Sequence, residues 1–237
     1  MTIERGRRAA HDLTETETGR LQSFSDAVFA VAITLLVLTL VVPALPGPSS
    51  QWTAEKLAAA LAQGWPSYLA FLTSFGTILI MWINHHAVVK LVRRADTLFV
   101  FANGFHLLHV TIVPFITALV ARYLSTPAAS TACAVYAGVF AVGNLIFNGL
   151  WRAGAHERRL LHPSVPQTRV DQLTKSYVAG FPVYLVATAL AFWNPYVSIA
   201  VCCGLWVVWA VTGYERLTED GESPAPEDIR QQREERG

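Results

Sequence analysis

Residues 20–42, RLQSFSDAVFAVAITLLVLTLVV, place Arg20, Ser25 and Asp26 at the head of an apolar run long enough to cross a bilayer. A carboxylate in such a segment is tolerated where it faces protein or water rather than lipid, so Asp26 marks the interior of a helical bundle and makes helix 1 the inner, functional helix. His85, His86, His106 and His109 fall in the second and third apolar blocks. Two histidines at similar depth on neighbouring helices have the chemistry of axial haem ligands. The alternative is hydrogen bonding within the bundle, favoured by the bulk of Trp82, Asn84, Asn103 and Phe105 in the same region. Asp96 follows a basic loop at a helix start, where a carboxylate suits the positive end of the dipole and reads as a cap. Cys133, Cys202 and Cys203 lie in apolar helices without disulfide or zinc spacing and read as packing residues. The sequence has no GxSxG, HExxH or glycine-rich phosphate loop, and apart from Asp26 and Asp96 its apolar blocks hold no carboxylate. This argues against an enzyme and against a proton-coupled pump.

Positioning these residues requires a membrane-embedded bundle. The 237 residues are 53% hydrophobic and only 15% charged, with a mean hydropathy of +0.37, which excludes an ordinary soluble domain. Six apolar blocks follow, at about 21–42, 67–89, 97–121, 128–150, 177–193 and 197–214, giving an all-α integral membrane protein of six transmembrane helices. The fifth and sixth are short and separated at Asn194-Pro195 by a tight hairpin turn. Between the first two blocks, Pro43, Pro46 and Pro48 precede an alanine-rich patch, 54–62, that reads as a short helix on the outer face. Sixteen of the eighteen basic residues fall in the N-terminal arm, the second and fourth loops and the C-terminal tail, so both termini are expected to be cytoplasmic. The polar first 19 residues form an arm rather than a cleavable signal, residues 20–214 form the membrane domain, and 215–237 lack apolar residues to bury and are expected to be disordered.

Arg20-x-x-x-Phe24-Ser25-Asp26, followed by an apolar helix containing Thr34, resembles the first helix of the potassium channel family called transmembrane protein 175. Trp82-x-x-His85 on helix 2, Asp96 eleven residues later, and Asn103 and Pro114 on helix 3 also look like that family's pattern, whereas helices 4 to 6 match only in hydropathy and number. The resemblance implies a single six-helix repeat assembling as a homotetramer in the plasma membrane, with helix 1 of each subunit around a central axis and potassium as the permeant ion. It implies no bound cofactor and no nucleic-acid partner.

At about 100° per residue, Val31, Thr34 and Leu38 share one face of helix 1, and Ser25 and Asp26 project away from it. From the residues alone that face suits lipid or core packing as well as a pore; the resemblance makes it the pore, with Val31 and Leu38 as constriction and gate and Thr34 as the selective hydroxyl ring. Asp26 is then expected to point into its own subunit towards His85 or Asn103, within a structural polar network of Arg20, Phe24, Ser25, Asp26, Trp82, His85 and Asn103. Two rival classes remain at this level: a secondary transporter with helices broken near Pro114 or Gly180-Phe181-Pro182, and a haem-binding electron carrier pairing His85 or His86 with His106 or His109.

Overall fold

The computed structural model describes the backbone of residues 2–205 and 207 and the side chains of residues 18–205 and 207. The first helix, α1 (Thr2–Leu35), runs through the polar N-terminal residues into the apolar segment and tightens into a 3-10 turn, Leu36–Thr39, where the Thr39 hydroxyl donates to the Leu36 carbonyl at 2.7 Å. Pro43, Pro46 and Pro48 interrupt helix, and only a 3-10 turn, Ser49–Gln51, precedes α2 (Ala54–Gln63). Thr53 caps α2 by accepting from the Lys56 amide at 3.3 Å, and no residue of this short helix is buried.

Three 27-residue helices follow, α3 (Trp65–Leu91), α4 (Thr97–Tyr123) and α5 (Ala129–Ala155), and then a fourth of equal length, α6 (Gln167–Trp193). α6 begins ten residues earlier than hydropathy placed it. Its first three turns are polar in composition, yet they bury Val170 and Leu173 and so hold helix by packing rather than by apolarity. Asn194 ends α6, and its side chain accepts from the amides of Tyr196 at 2.9 Å and Val197 at 3.3 Å, capping a short helix, α7 (Pro195–Leu205). The expected sixth block, 197–214, lies partly in α7 and partly outside the described residues, and the expected tail at 215–237 lies wholly outside them. Among the described residues five helices are long and apolar enough to cross a membrane. Pro114 and Pro182 sit inside α4 and α6 without ending either, so the broken helices of a transporter site are not found there.

Packing runs in sequence, α1 against α3 and α4, α4 against α5, and α5 against α6. Ala132, Ala137 and Ala141 are buried on α5, and Ala187 and Ala191 on α6; small side chains let helix backbones approach closely where lipid provides no hydrophobic drive. At one end, the α3–α4 turn and the α5–α6 connection are clasped. Val92 and Leu161 form an antiparallel bridge, with Arg93 N–H donating to Leu160 O at 2.8 Å and His162 N–H to Leu91 O at 3.0 Å. Two of the loops predicted to share a side therefore meet. Asp96 serves both elements: Oδ1 accepts from the Phe99 amide at 2.9 Å, capping α4, and Oδ2 accepts from Arg159 Nη2 at 2.7 Å.

The two roles of Asp96 differ in weight, since an N-cap is worth about 1 kcal/mol and a partly exposed ion pair less. Asp96→Asn keeps a capping oxygen and is expected to lose no more than about 0.5 kcal/mol, whereas Asp96→Ala loses about 1–2 kcal/mol. Thermal unfolding of the two variants in one detergent checks the order; equal losses would assign the stabilisation to the ion pair instead.

Candidate functional site

Helix α1 has two contrasting faces, and the buried one carries polar contacts near the start of the apolar segment. Ser25 is fully buried. Its hydroxyl donates to the Leu21 carbonyl at 2.9 Å and accepts from Asn103 Nδ2 of α4 at 3.0 Å. With the amide nitrogen so engaged, Asn103 Oδ1 faces His85 Nε2 of α3 at 2.7 Å, which makes Nε2 the protonated ring nitrogen. Three helices are thus joined by one chain of side-chain hydrogen bonds. One step round the helix, Asp26 Oδ1 accepts from the indole Nε1–H of Trp82 at 2.8 Å, and one turn towards the N-terminus Gln22 Nε2 donates to His86 Nδ1 at 3.1 Å. Trp82 stacks on His86 with centroids 5.5 Å apart. Deeper, the Phe29 ring packs against both His85, at 5.4 Å, and His106, at 5.8 Å.

The sequence expectation paired Asp26 with His85 or Asn103. In the structure Ser25 takes Asn103, and Asp26, rotated by one residue, meets Trp82. Arg20 and Phe24 also stand apart from this network within the subunit. Arg20 is exposed, with no hydrogen bond or ion pair to any described side chain, and Phe24 is 62% exposed. At 100° per residue both lie well off the direction of Ser25, on the side of α1 that no neighbouring helix covers.

That uncovered side continues along the helix. Phe29, Ala32 and Leu36 are buried, whereas Val31 is 57% exposed, Leu38 is 73% exposed, and Thr34 is exposed between them. The Thr34 hydroxyl donates to the Val31 carbonyl at 2.8 Å, so its proton turns back onto the helix and its oxygen lone pairs are left facing outward. Ala27, Ala30 and Leu35 share this exposure and were not singled out from sequence.

Comparison with known proteins places this chain in a family. The family model for the endosomal/lysosomal potassium channel TMEM175 matches residues 20–114, the stretch that contains the whole polar network. A potassium channel of Chamaesiphon minutus is 47% identical over 197 residues, covering 83% of this chain and 95% of the relative. One of Streptomyces collinus is 38% identical over 185 residues, covering 78% and 87%. The crystal structure of a lysosomal potassium-selective channel TMEM175 homologue from Chamaesiphon minutus superposes with a TM-score of 0.74 at 45% identity, covering 84% of this chain and 98% of that one. The chain belongs to the TMEM175 family. It is accordingly a multi-pass membrane protein.

In this TMEM175-family chain the rings of His85 and His106 lie nearly parallel, with centroids 5.6 Å apart and 13° between planes, so this pair leaves no gap between them for a macrocycle. Among the described residues no three His, Cys, Asp or Glu side chains group as a metal site. The arrangement can hold α1 in one rotation, because turning the helix would leave the buried Ser25 and Asn103, and the half-buried Asp26, without their partners.

Asn103→Ala removes the shared partner of Ser25 and His85 and is expected to cost about 1–3 kcal/mol; Trp82→Phe, which keeps the ring and deletes only the donor to Asp26, is expected to fall in the same range. Thermal unfolding in detergent measures both. If Trp82→Phe unfolds like the unsubstituted protein, the indole bond does not hold Asp26.

Proposed function

We propose that the chain is a potassium channel and not an enzyme: a homotetramer of six-helix subunits in the plasma membrane, both termini cytoplasmic, with α1 of each subunit around the conduction axis. The observation that carries this reading is the uncovered apolar face of α1, Val31, Thr34 and Leu38, opposite a face fixed by buried hydrogen bonds. One chain supplies one such face, so an enclosed path needs a closed ring of copies, and cyclic symmetry provides it. The potassium-channel names of the bacterial relatives support the choice of ion, and the clasp between the α3–α4 and α5–α6 loops suits the basic loops lying on one membrane side.

Val31 and Leu38 present only carbon, so rings of these residues exclude water and make a passing ion shed part of its hydration shell. Sodium holds that shell more tightly than potassium. Thr34 offers a weak neutral oxygen whose lone pairs face the axis because its proton is spent on the Val31 carbonyl. Four such oxygens replace part of the lost water and compensate potassium more completely, giving modest selectivity without a carbonyl filter. Potassium is the permeant ion, resident only in passage, and no cofactor takes part.

The test is potassium flux into liposomes carrying the purified protein, with sodium as competitor, beside native mass in mild detergent. Tetramers with potassium-preferring flux are expected; flux retained by a monomer or dimer would sink the assembly. Val31→Asn or Leu38→Asn is expected to raise potassium and sodium conductance together by wetting the constriction, whereas Thr34→Ala lowers the potassium preference in a folded protein. Reversal potentials in mixed gradients separate the two effects, and an unchanged reversal potential in Thr34→Ala would remove the hydroxyl ring from selectivity.

A further inference from the structure

Residues 40–64 join two of the spanning segments, Thr18–Thr39 and Trp65–Leu91, so the whole stretch lies on one side of the membrane. It is folded rather than slack. The Trp52 indole donates to the Gly47 carbonyl at 3.2 Å and Lys56 Nζ to the Gln51 carbonyl at 2.9 Å, which ties the proline-rich part to α2. α2 itself buries no residue, and the helix it meets within the subunit is α3. Its sequence has two faces. At 100° per residue Ala54, Leu57, Ala58 and Leu61 fall on one side, and Glu55, Ala59, Gln63 and Lys56 on the other. Leu57 and Leu61 are 43% and 42% exposed, so the subunit leaves the apolar side uncovered.

A helix of ten residues, about 15 Å long, is too short to cross a bilayer, and its apolar side is unfavourable in water. What covers that side follows from where the helix sits. Gly64 is both the C-cap of α2 and the N-cap of α3, so a single residue separates α2 from the first residue of a span. Exposed aromatic side chains collect at the same level. Trp65 stacks on Tyr196 of α7 with centroids 6.3 Å apart, Tyr68 follows Trp65 on α3, and Trp193 ends α6. Exposed Trp and Tyr at the ends of spanning helices mark the boundary between membrane and water. Glu55 and Lys56 are the only charged residues between 40 and 64, and their charges cancel, so nothing in the stretch calls for an anionic headgroup. We propose that α2 lies in the plane of the membrane surface, with Leu57 and Leu61 sunk to the boundary of headgroup and acyl chain, and that zwitterionic phospholipid is a sufficient partner for this face. Seated there, α2 anchors to the bilayer the segment that leaves α1. The inference rests on the chain's being a multi-pass membrane protein and is independent of the channel reading.

Nitroxide labelling of the full-length protein in phosphatidylcholine liposomes tests it. With Cys133, Cys202 and Cys203 replaced by alanine, single cysteines are introduced at Leu57 and Leu61 and, on the opposite side, at Ala59 and Gln63. Relaxation of each label by oxygen, which concentrates in the bilayer, is compared with relaxation by a water-soluble nickel chelate present on both sides of the membrane. The Leu57→Cys and Leu61→Cys labels are expected to relax several-fold more with oxygen than with nickel, and the Ala59→Cys and Gln63→Cys labels to show the reverse. Ala54→Cys and Ala58→Cys, on the apolar side, take the place of a leucine variant that does not reconstitute. Labels on the apolar side shielded from both reagents would show that protein, such as a second copy of the chain, covers it, and labels open to nickel at all positions would leave the helix in water. Either result overturns the proposal.

Discussion

The rest of the structure depends on one constraint: polar groups placed inside a membrane protein must find their partners inside the protein. Ser25 on α1, Asn103 on α4 and His85 on α3 answer it with a continuous chain of hydrogen bonds, and Asp26 answers it with the Trp82 indole. Each bond is ordinary in strength. Their joint effect is directional, because they are satisfied together at one rotation of α1 only. A helix built of Val, Leu and Ala could otherwise turn with little penalty against neighbours as apolar as itself. The polar face therefore decides which apolar residues are presented on the other side, and Val31, Thr34 and Leu38 owe their exposure to side chains between five and thirteen positions away.

A helix held this way needs a scaffold that does not shift. The small-residue seam between α5 and α6 and the loop clasp around Asp96 provide it, the first by close backbone approach and the second by joining two connections that are far apart in sequence. The prolines in α4 and α6 fit the same picture: each deletes one backbone donor, yet the helix continues through both.

Much of this was legible in the sequence because membranes simplify the signal. Apolar length located five spanning helices of the six expected, the 100° step of α1 separated Ser25 and Asp26 from Val31, Thr34 and Leu38, and an acid after a basic loop located the Asp96 cap. Other features were out of reach for physical reasons. Which of two adjacent polar residues meets Asn103 depends on a rotation finer than the residue step, and it is Ser25 rather than Asp26 that takes Asn103. The start of α6 is amphipathic, and hydropathy does not register a helix that buries two residues per three turns. Arg20 and Phe24 belong to a recognisable motif, yet within one subunit neither touches the network, since a motif records adjacency in sequence and not direction.

The central claim is that the face of α1 opposite the hydrogen-bonded one lines the ion path. Silver ions test it most directly, being small monovalent cations that follow the route of potassium and bind thiolates tightly. In a background with Cys133, Cys202 and Cys203 replaced by alanine, cysteine is introduced singly at Thr34, at Leu38 and, as the buried control, at Ala32, and potassium flux is recorded before and after silver is added. The account predicts rapid block for Thr34→Cys and Leu38→Cys and none for Ala32→Cys. Block at Ala32→Cys with the other two unaffected would place the path on the opposite face and contradict it.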